Sequence, residues 1–199
     1  MRPLRALALA CAAVMILAAG CDKLPGARKS PFNGVDVTGS DMGRGLRLMD
    51  HTGQERALAD FRGKVVLVIF GFTQCPDVCP TALANAASAV RQLGGEGKQV
   101  QVLFITVDPK RDTLELLRQY VTAFDPRFLG MGGDAERVLR TAKDFNMYVA
   151  QRPGTTPDTY TVDHSTQMYA FDREGRVRLV IAHGTAPAAI AADLKVLLN

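Results

Sequence analysis

The chain has 199 residues, 47% of them hydrophobic and 22% charged, which suits one domain with a full apolar core and a tail. Its formal charge of +4 becomes +2 once an amino-terminal segment with two arginines and no acids is set aside. So balanced a charge gives no case for a nucleic-acid partner.

The first twenty residues stand apart. Arg2 and Arg5 precede an apolar, alanine-rich run from Ala6 to Ala19, short for a spanning helix but ordinary for a secretory signal. It ends in Leu17-Ala18-Ala19-Gly20-Cys21, which resembles the lipobox of bacterial lipoproteins. That resemblance implies cleavage before Cys21 and a lipid on its sulfur; a plain signal peptide or an uncleaved anchor is the alternative. Residues 21–40 mix prolines and glycines with polar side chains and read as a tether, with at most a short pairing segment at Val35-Asp36-Val37. The folded domain is expected over 41–199.

Gly45 to Asp50 alternates apolar and polar residues, His51-Thr52-Gly53-Gln54 reads as a turn, and Ala57 to Gly63 leads into the next strand. This predicts an extra amino-terminal hairpin ahead of the core. Val65 to Phe72 is continuously apolar, as in the central strand of a buried sheet. A helix should follow through Thr81-Ala82-Leu83-Ala84 to Leu93-Gly94-Gly95, and a second apolar strand over Val100–Val107 completes a βαβ crossover. Asp112 is placed as N-cap of the next helix with Glu115 three residues on, and Asp125-Pro126 stops it. Phe128-Leu129-Gly130 adds a short strand, Ala135–Phe145 a helix, and Met147–Ala150 an extended stretch. Gln151 to Thr159 reads as an exposed loop. Gln167–Asp172 and Arg176–Ala182 form a hairpin turning at Gly175, and Ala186–Leu198 a closing helix. The order is thioredoxin-like: an α/β fold with a central mixed sheet flanked by helices.

Chemistry concentrates at Cys75-Pro76-Asp77-Val78-Cys79-Pro80, at the carboxyl end of the central strand, where open α/β sheets place their sites. If Cys11 leaves with the signal and Cys21 is lipidated, Cys75 and Cys79 are the two free thiols, a redox or metal pair rather than a disulfide framework. A helix start favours the thiolate of such a pair, and Pro76 suits a first helical turn. Thioredoxin-type exchange usually spaces its thiols by two residues. Three intervening residues allow both a disulfide and two thiolates on one metal.

A metal would need a third ligand, and His164 in Thr161-Val162-Asp163-His164-Ser165 is the candidate, in the neighbourhood that faces the dithiol helix in thioredoxin-like chains. Two thiolates and an imidazole are a soft set that favours copper, as Cu(I) or Cu(II), whereas structural zinc would want a fourth protein ligand. Asp163 either orients the imidazole or caps the loop. Asp77 is either a first-turn acid or a guide for a docking partner. Asp108 to Thr113 reads as a strand end and helix cap, or as part of the site rim. His51 and His183 read as structural or surface residues, and the seven methionines form no cluster. The threonine that peroxidases place three residues before a single attacking cysteine is absent.

Three phrases carry a resemblance: Gly71-Phe72-Thr73-Gln74-Cys75-Pro76-Asp77-Val78-Cys79-Pro80-Thr81, Val107-Asp108-Pro109-Lys110-Arg111-Asp112-Thr113, and Val162-Asp163-His164-Ser165. In this order they are similar to the three signatures of the Sco/SenC family, over roughly Gly45 to the carboxyl terminus. The resemblance implies a thioredoxin fold binding copper through Cys75, Cys79 and His164. It further implies membrane attachment and a copper chaperone that builds the dinuclear copper centre of cytochrome c oxidase. The expected partners are the copper-bearing oxidase subunit, an upstream copper donor or thiol reductant, and the membrane through the lipid on Cys21, with no nucleic acid. The expected location is the periplasmic side of a bacterial cell envelope. The competing reading is a thiol-disulfide oxidoreductase that keeps the oxidase cysteines reduced; it needs the dithiol but not His164.

Overall fold

Seven consecutive fully buried residues, Val65–Gly71, form strand β4 at the centre of the sheet, as their uninterrupted apolarity requires. The computed structural model describes residues 30–154, 156 and 159–199. The expected signal, Cys21 and the first part of the tether lie outside the described residues. In chain order the other strands are β1 (Val35–Asp36), β2 (Arg47–Asp50), β3 (Glu55–Ala57), β5 (Val100–Thr106), β6 (Leu129–Gly132), β7 (Val149–Pro153), β8 (Tyr160–His164), β9 (Met168–Phe171) and β10 (Val177–Ile181). The helices are α1 (Val78–Gln92), α2 (Leu114–Thr122), α3 (Ala135–Asp144) and α4 (Pro187–Leu198).

Eight strands make one mixed sheet in the order β1-β10-β9-β4-β5-β6-β2-β3. β4, β5 and β6 run parallel, β4 and β5 joined by α1; β9 flanks β4 antiparallel. The β4–β5 ladder runs in register from Val65↔Val100 to Gly71↔Thr106, so both strands end together where α1 begins. α1 packs against α4, α2 over β6 and α3 over β2. This is the expected mixed sheet flanked by helices, and the amino-terminal hairpin β2–β3 extends it beyond β6.

Two readings need correction, the cap of α2 and the loop from Gln151. The compact unit runs from Pro31 to Asn199. Asn33 and Gly34 donate backbone N–H bonds to the buried Asp193 carboxylate at 2.7 and 2.9 Å, which fastens the last part of the expected tether to α4. The N-cap of α2 is Thr113, whose hydroxyl accepts Leu116 N–H at 3.2 Å; Asp112 points into the protein instead. The stretch expected as a loop from Gln151 starts as strand, because β7 and β8 pair into a separate antiparallel ribbon from Val149↔His164 to Pro153↔Tyr160. Pro153 is tolerated there because a two-stranded ribbon has free edges.

The β2–β3 turn is built on Asp50, which is fully buried. Its Oδ1 accepts Thr52 N–H at 2.8 Å, Thr52 Oγ–H at 2.6 Å and Gln54 N–H at 3.1 Å, while Oδ2 accepts Arg56 Nε–H at 2.8 Å. Burial alone would raise its pKa; these donors, Arg56 foremost, outweigh burial and hold it below the ordinary carboxylate range. A pKa depressed in the folded state stabilises the fold above the unfolded value of about 4, and that contribution is lost as pH falls through the folded value. Asp50→Asn is therefore expected to cost about 1–3 kcal/mol at neutral pH. It should also flatten the acid limb of the stability profile. Urea unfolding of both chains from neutral to acid pH checks this, and a variant midpoint equal to the parent's at neutral pH would refute it.

Candidate metal centre

The dithiol sits where β4 runs out. A Cβ at Gly71 would lie 2.7 Å from Cys79 Sγ and 2.7 Å from the Phe104 ring, so only a residue without a side chain lets the sulfur rest against the strand end. The following loop is tied down by buried Asp112, which accepts Thr73 N–H at 3.0 Å, Thr73 Oγ–H at 2.6 Å and Thr106 Oγ–H at 2.7 Å. Cys75 N–H closes the turn onto Phe72 C=O at 3.2 Å. α1 then starts at Val78, placing Pro76 before the helix rather than in its first turn; Pro80 is the first-turn proline, at a position whose amide would have no helical partner.

Cys79 is 1% exposed and Cys75 half-buried, and both are free thiols. Cys75 Sγ accepts Cys79 N–H at 3.4 Å. Burial pushes the Cys79 thiol well above its ordinary range, and its hydrogen bond with Cys75 pushes the same way. This corrects the expectation that the helix start would favour its thiolate: desolvation outweighs the helix terminus here.

His164, at the end of β8, reaches the same point. Its Nε2 stands 3.8 Å from Cys79 Sγ, and its ring meets Phe72 edge to face with centroids 6.0 Å apart. The Nδ1–H donates to the carbonyl of Ser165 at 2.7 Å, which leaves the Nε2 lone pair facing the sulfur. Burial lowers the His164 pKa, against the Ser165 bond and the Asp163 charge, so the ring is neutral at neutral pH and able to donate to a metal. Ser165 is itself held, its N–H donating to Tyr148 C=O at 3.0 Å and its hydroxyl accepting Tyr148 N–H at 3.0 Å.

The structure thus brings His164 onto Cys79, 85 positions earlier in the chain, with Cys75 Sγ against the Cys79 backbone N–H. Among the described residues no three His, Cys, Asp or Glu side chains are grouped so as to hold a metal ion; the arrangement is a sulfur–nitrogen contact with a second thiol on the neighbouring backbone. Asp163 does not orient the imidazole, since it pairs with Arg152 at 2.8 Å on the exposed side of the ribbon. Asp77 is exposed at the N-cap position of α1; its carboxylate accepts Thr81 Oγ–H at 3.3 Å and its carbonyl accepts Thr81 N–H at 3.1 Å. His51 accepts Gly130 N–H at 3.0 Å, a structural role, and His183 lies on the surface. The sequence reading missed Gly71 and Ser165 as site residues. The glycine ending an otherwise bulky apolar run was the available signal for Gly71; a backbone carbonyl leaves none.

A dithiol at the end of the central strand of a mixed, helix-flanked sheet, with an imidazole brought onto it from a separate ribbon, defines a thioredoxin-like protein with a sulfur and nitrogen donor site. The chain belongs to the SCO1/SenC family, whose profile matches residues 36–199. It is 45% identical over 130 residues to "Protein SCO2 homolog, mitochondrial" of Bos taurus, covering 64% of this chain and 49% of that protein. The chain spans about half the length of the curated relatives it matches. Among solved structures, Bradyrhizobium japonicum ScoI with copper bound is 33% identical, with a TM-score of 0.70 over 82% of this chain and 98% of that one. BsSco, described as a member of the Sco family of cytochrome c oxidase assembly proteins with a disulfide switch, is 21% identical and shares the fold, with a TM-score of 0.63 over 82% of this chain and 97% of that one.

The fit at Gly71 is directly testable. Gly71→Ala forces a methyl into the space of Cys79 Sγ and the Phe104 ring, both buried, and overpacking of that kind costs about 1–3 kcal/mol. Denaturant unfolding should show that loss. A parental midpoint would mean the sulfur does not lean on the strand end.

Proposed function

We propose that the protein holds a copper ion through Cys75, Cys79 and His164 and delivers it to the dinuclear copper centre of cytochrome c oxidase. The observation that carries this reading is the His164 Nε2–Cys79 Sγ contact with the ring oriented by Ser165. The donor set supports it: two sulfurs and a neutral imidazole are soft ligands that suit Cu(I), and Cu(II) accepts the same set with added oxygen or nitrogen. Copper bound to Bradyrhizobium ScoI supports it from a related chain. The match to the SCO1/SenC family over residues 36–199, together with the three Sco/SenC signatures in the sequence, supports the destination.

Binding replaces the thiol protons with the metal. Cys75 is the more exposed of the two sulfurs, so an incoming thiolate of the oxidase subunit approaches the ion from its side, with the buried Cys79 on the far side. Copper leaves by exchange of ligands one at a time. In this reading residues 1–20 export the chain, a lipid on Cys21 holds it to the membrane, and the domain works on the periplasmic side of a bacterial envelope. An upstream copper donor loads it, and a thiol reductant keeps the pair able to bind.

The second reading is a thiol-disulfide reductant of the oxidase cysteines, and the pairing of two free thiols favours it. There Cys75 attacks a partner disulfide and Cys79 resolves the mixed disulfide, passing two electrons and two protons to the partner. The two readings part at His164. In the copper reading the parent takes up a single copper per chain, and His164→Ala loses more than about the hundredfold in affinity that outer-shell changes reach, together with nitrogen coupling in the paramagnetic resonance spectrum of Cu(II). His164→Ala should then fail to restore oxidase activity in a deletion strain. Unchanged copper stoichiometry and affinity in the variant would overturn the ligand assignment, and full restoration of the oxidase would favour the reductant.

A further inference from the structure

The ribbon β7–β8 carries His164 yet shares no ladder with the main sheet, so side chains must fix its distance from the dithiol. Val162 buries one face of the ribbon, and burial of one valine does not set a register. The specific contacts come from the loop after β5. Arg111 donates its Nε–H to Asp108 and its Nη1–H to the backbone carbonyl of Tyr160 at 2.8 Å. The Tyr160 hydroxyl donates to the other Asp108 oxygen at 2.8 Å. Asp108 is 1% exposed, so this charge is removed from water and paired on both oxygens, the setting in which ionic hydrogen bonds are strongest.

The guanidinium also bridges two rings. Its central carbon stands 3.7 Å from the Tyr160 ring centroid and 5.7 Å from that of Phe72. Its Nη2 is buried with no hydrogen-bond partner, a cost the stacked position offsets through the ring faces. Phe72 in turn lies edge to face with the His164 ring. Tyr160, Arg111, Phe72 and His164 therefore form one packed row from the tip side of the ribbon to the imidazole. Asp112, the residue after Arg111, holds Thr73 and with it the dithiol loop. A single turn of chain grips both segments that carry sulfur and nitrogen donors.

We propose that Arg111, set by Asp108 and Tyr160, is a positioning residue that holds the His164 ribbon against the dithiol loop. It touches no donor atom; it acts through Phe72 and Tyr160. The role rests on the copper reading only where copper is the probe.

The test uses the full chain, first without metal. Arg111→Met keeps an apolar stem and loses every hydrogen bond; Arg111→Lys keeps the charge but cannot fork between Asp108 and the Tyr160 carbonyl. Nuclear cross-relaxation between the His164 and Phe72 ring protons should be lost in Arg111→Met and only partly recovered in Arg111→Lys, while amide signals of β4 and β5 stay in place. With Cu(II) as the second probe, affinity should fall about tenfold or more and nitrogen coupling should weaken, the scale of losing a group that orients a metal-binding histidine. Should Arg111→Met fail to fold, Tyr160→Phe removes only the hydroxyl bond to Asp108, and its ring contact should weaken likewise. Parental cross-relaxation in the folded variants overturns the role. A parent that takes up no copper, yet loses the ring contact in Arg111→Met, supports the positioning role and overturns the copper reading alone.

Discussion

The contact between Cys79 and His164 depends on a buried sulfur pressed against a strand end that has no side chain. Gly71 removes the Cβ that would occupy that place, the β4–β5 ladder keeps the strand end flush with Thr106, and α1 begins within reach. Each condition is set by the core rather than by the site. Val65 to Phe70 and Val100 to Ile105 are buried on both faces, so the height of the strand ends is fixed by packing on every side. A residue larger than glycine at 71, or a slip in the ladder, would move the sulfur before it altered any donor.

Electrostatics in the metal-free protein follow from that burial. A buried thiolate beside an imidazolium would be two charges out of water, with a desolvation cost that such pairs often fail to recover. The protein avoids it: desolvation keeps the Cys79 proton on and the His164 ring neutral, and the one remaining ring proton is satisfied by a backbone carbonyl. The donors are thus held close to one another without mutual repulsion and without stored charge. A soft cation entering such a place displaces protons and brings its own charge to neutralise the sulfurs, which is why a neutral resting state is compatible with a tight donor set.

How far the sequence foretold this depends on the kind of signal. The buried strands were legible because Val65–Phe72 has no polar side chain and Val100–Val107 is apolar but for Gln101 and Thr106, and the turn at Gly175 because glycine freely adopts the φ of +80° found there. That Cys75, Cys79 and His164 would lie at one place was legible because few residue types suit a soft metal and the chain has few of them. The ribbon β7–β8 was not, since its strands are half exposed and contain Pro153, Thr161 and Asp163, which read as loop. Its order comes from pairing with itself and from Arg111, a partner 49 residues from Tyr160. Asp112 was misread for a related reason: a capping pattern is local, and the long-range demand of Thr73 and Thr106 for an acceptor overrode it, leaving the cap to Thr113.

That division has a consequence for the chemistry. The sulfurs belong to the loop and first turn beside the central strand, where local opening requires breaking the core. The imidazole belongs to a two-stranded ribbon, which alone is marginal in water and is tied to the body through a few side chains. In the copper reading, a site built half on the core and half on a ribbon would have one donor, His164, that can be released at low cost while the two sulfurs stay. Storage of an ion would favour placing all three donors on the sheet; the proposed stepwise transfer is compatible with the arrangement seen here, because the imidazole sits on the part of the fold that costs least to move.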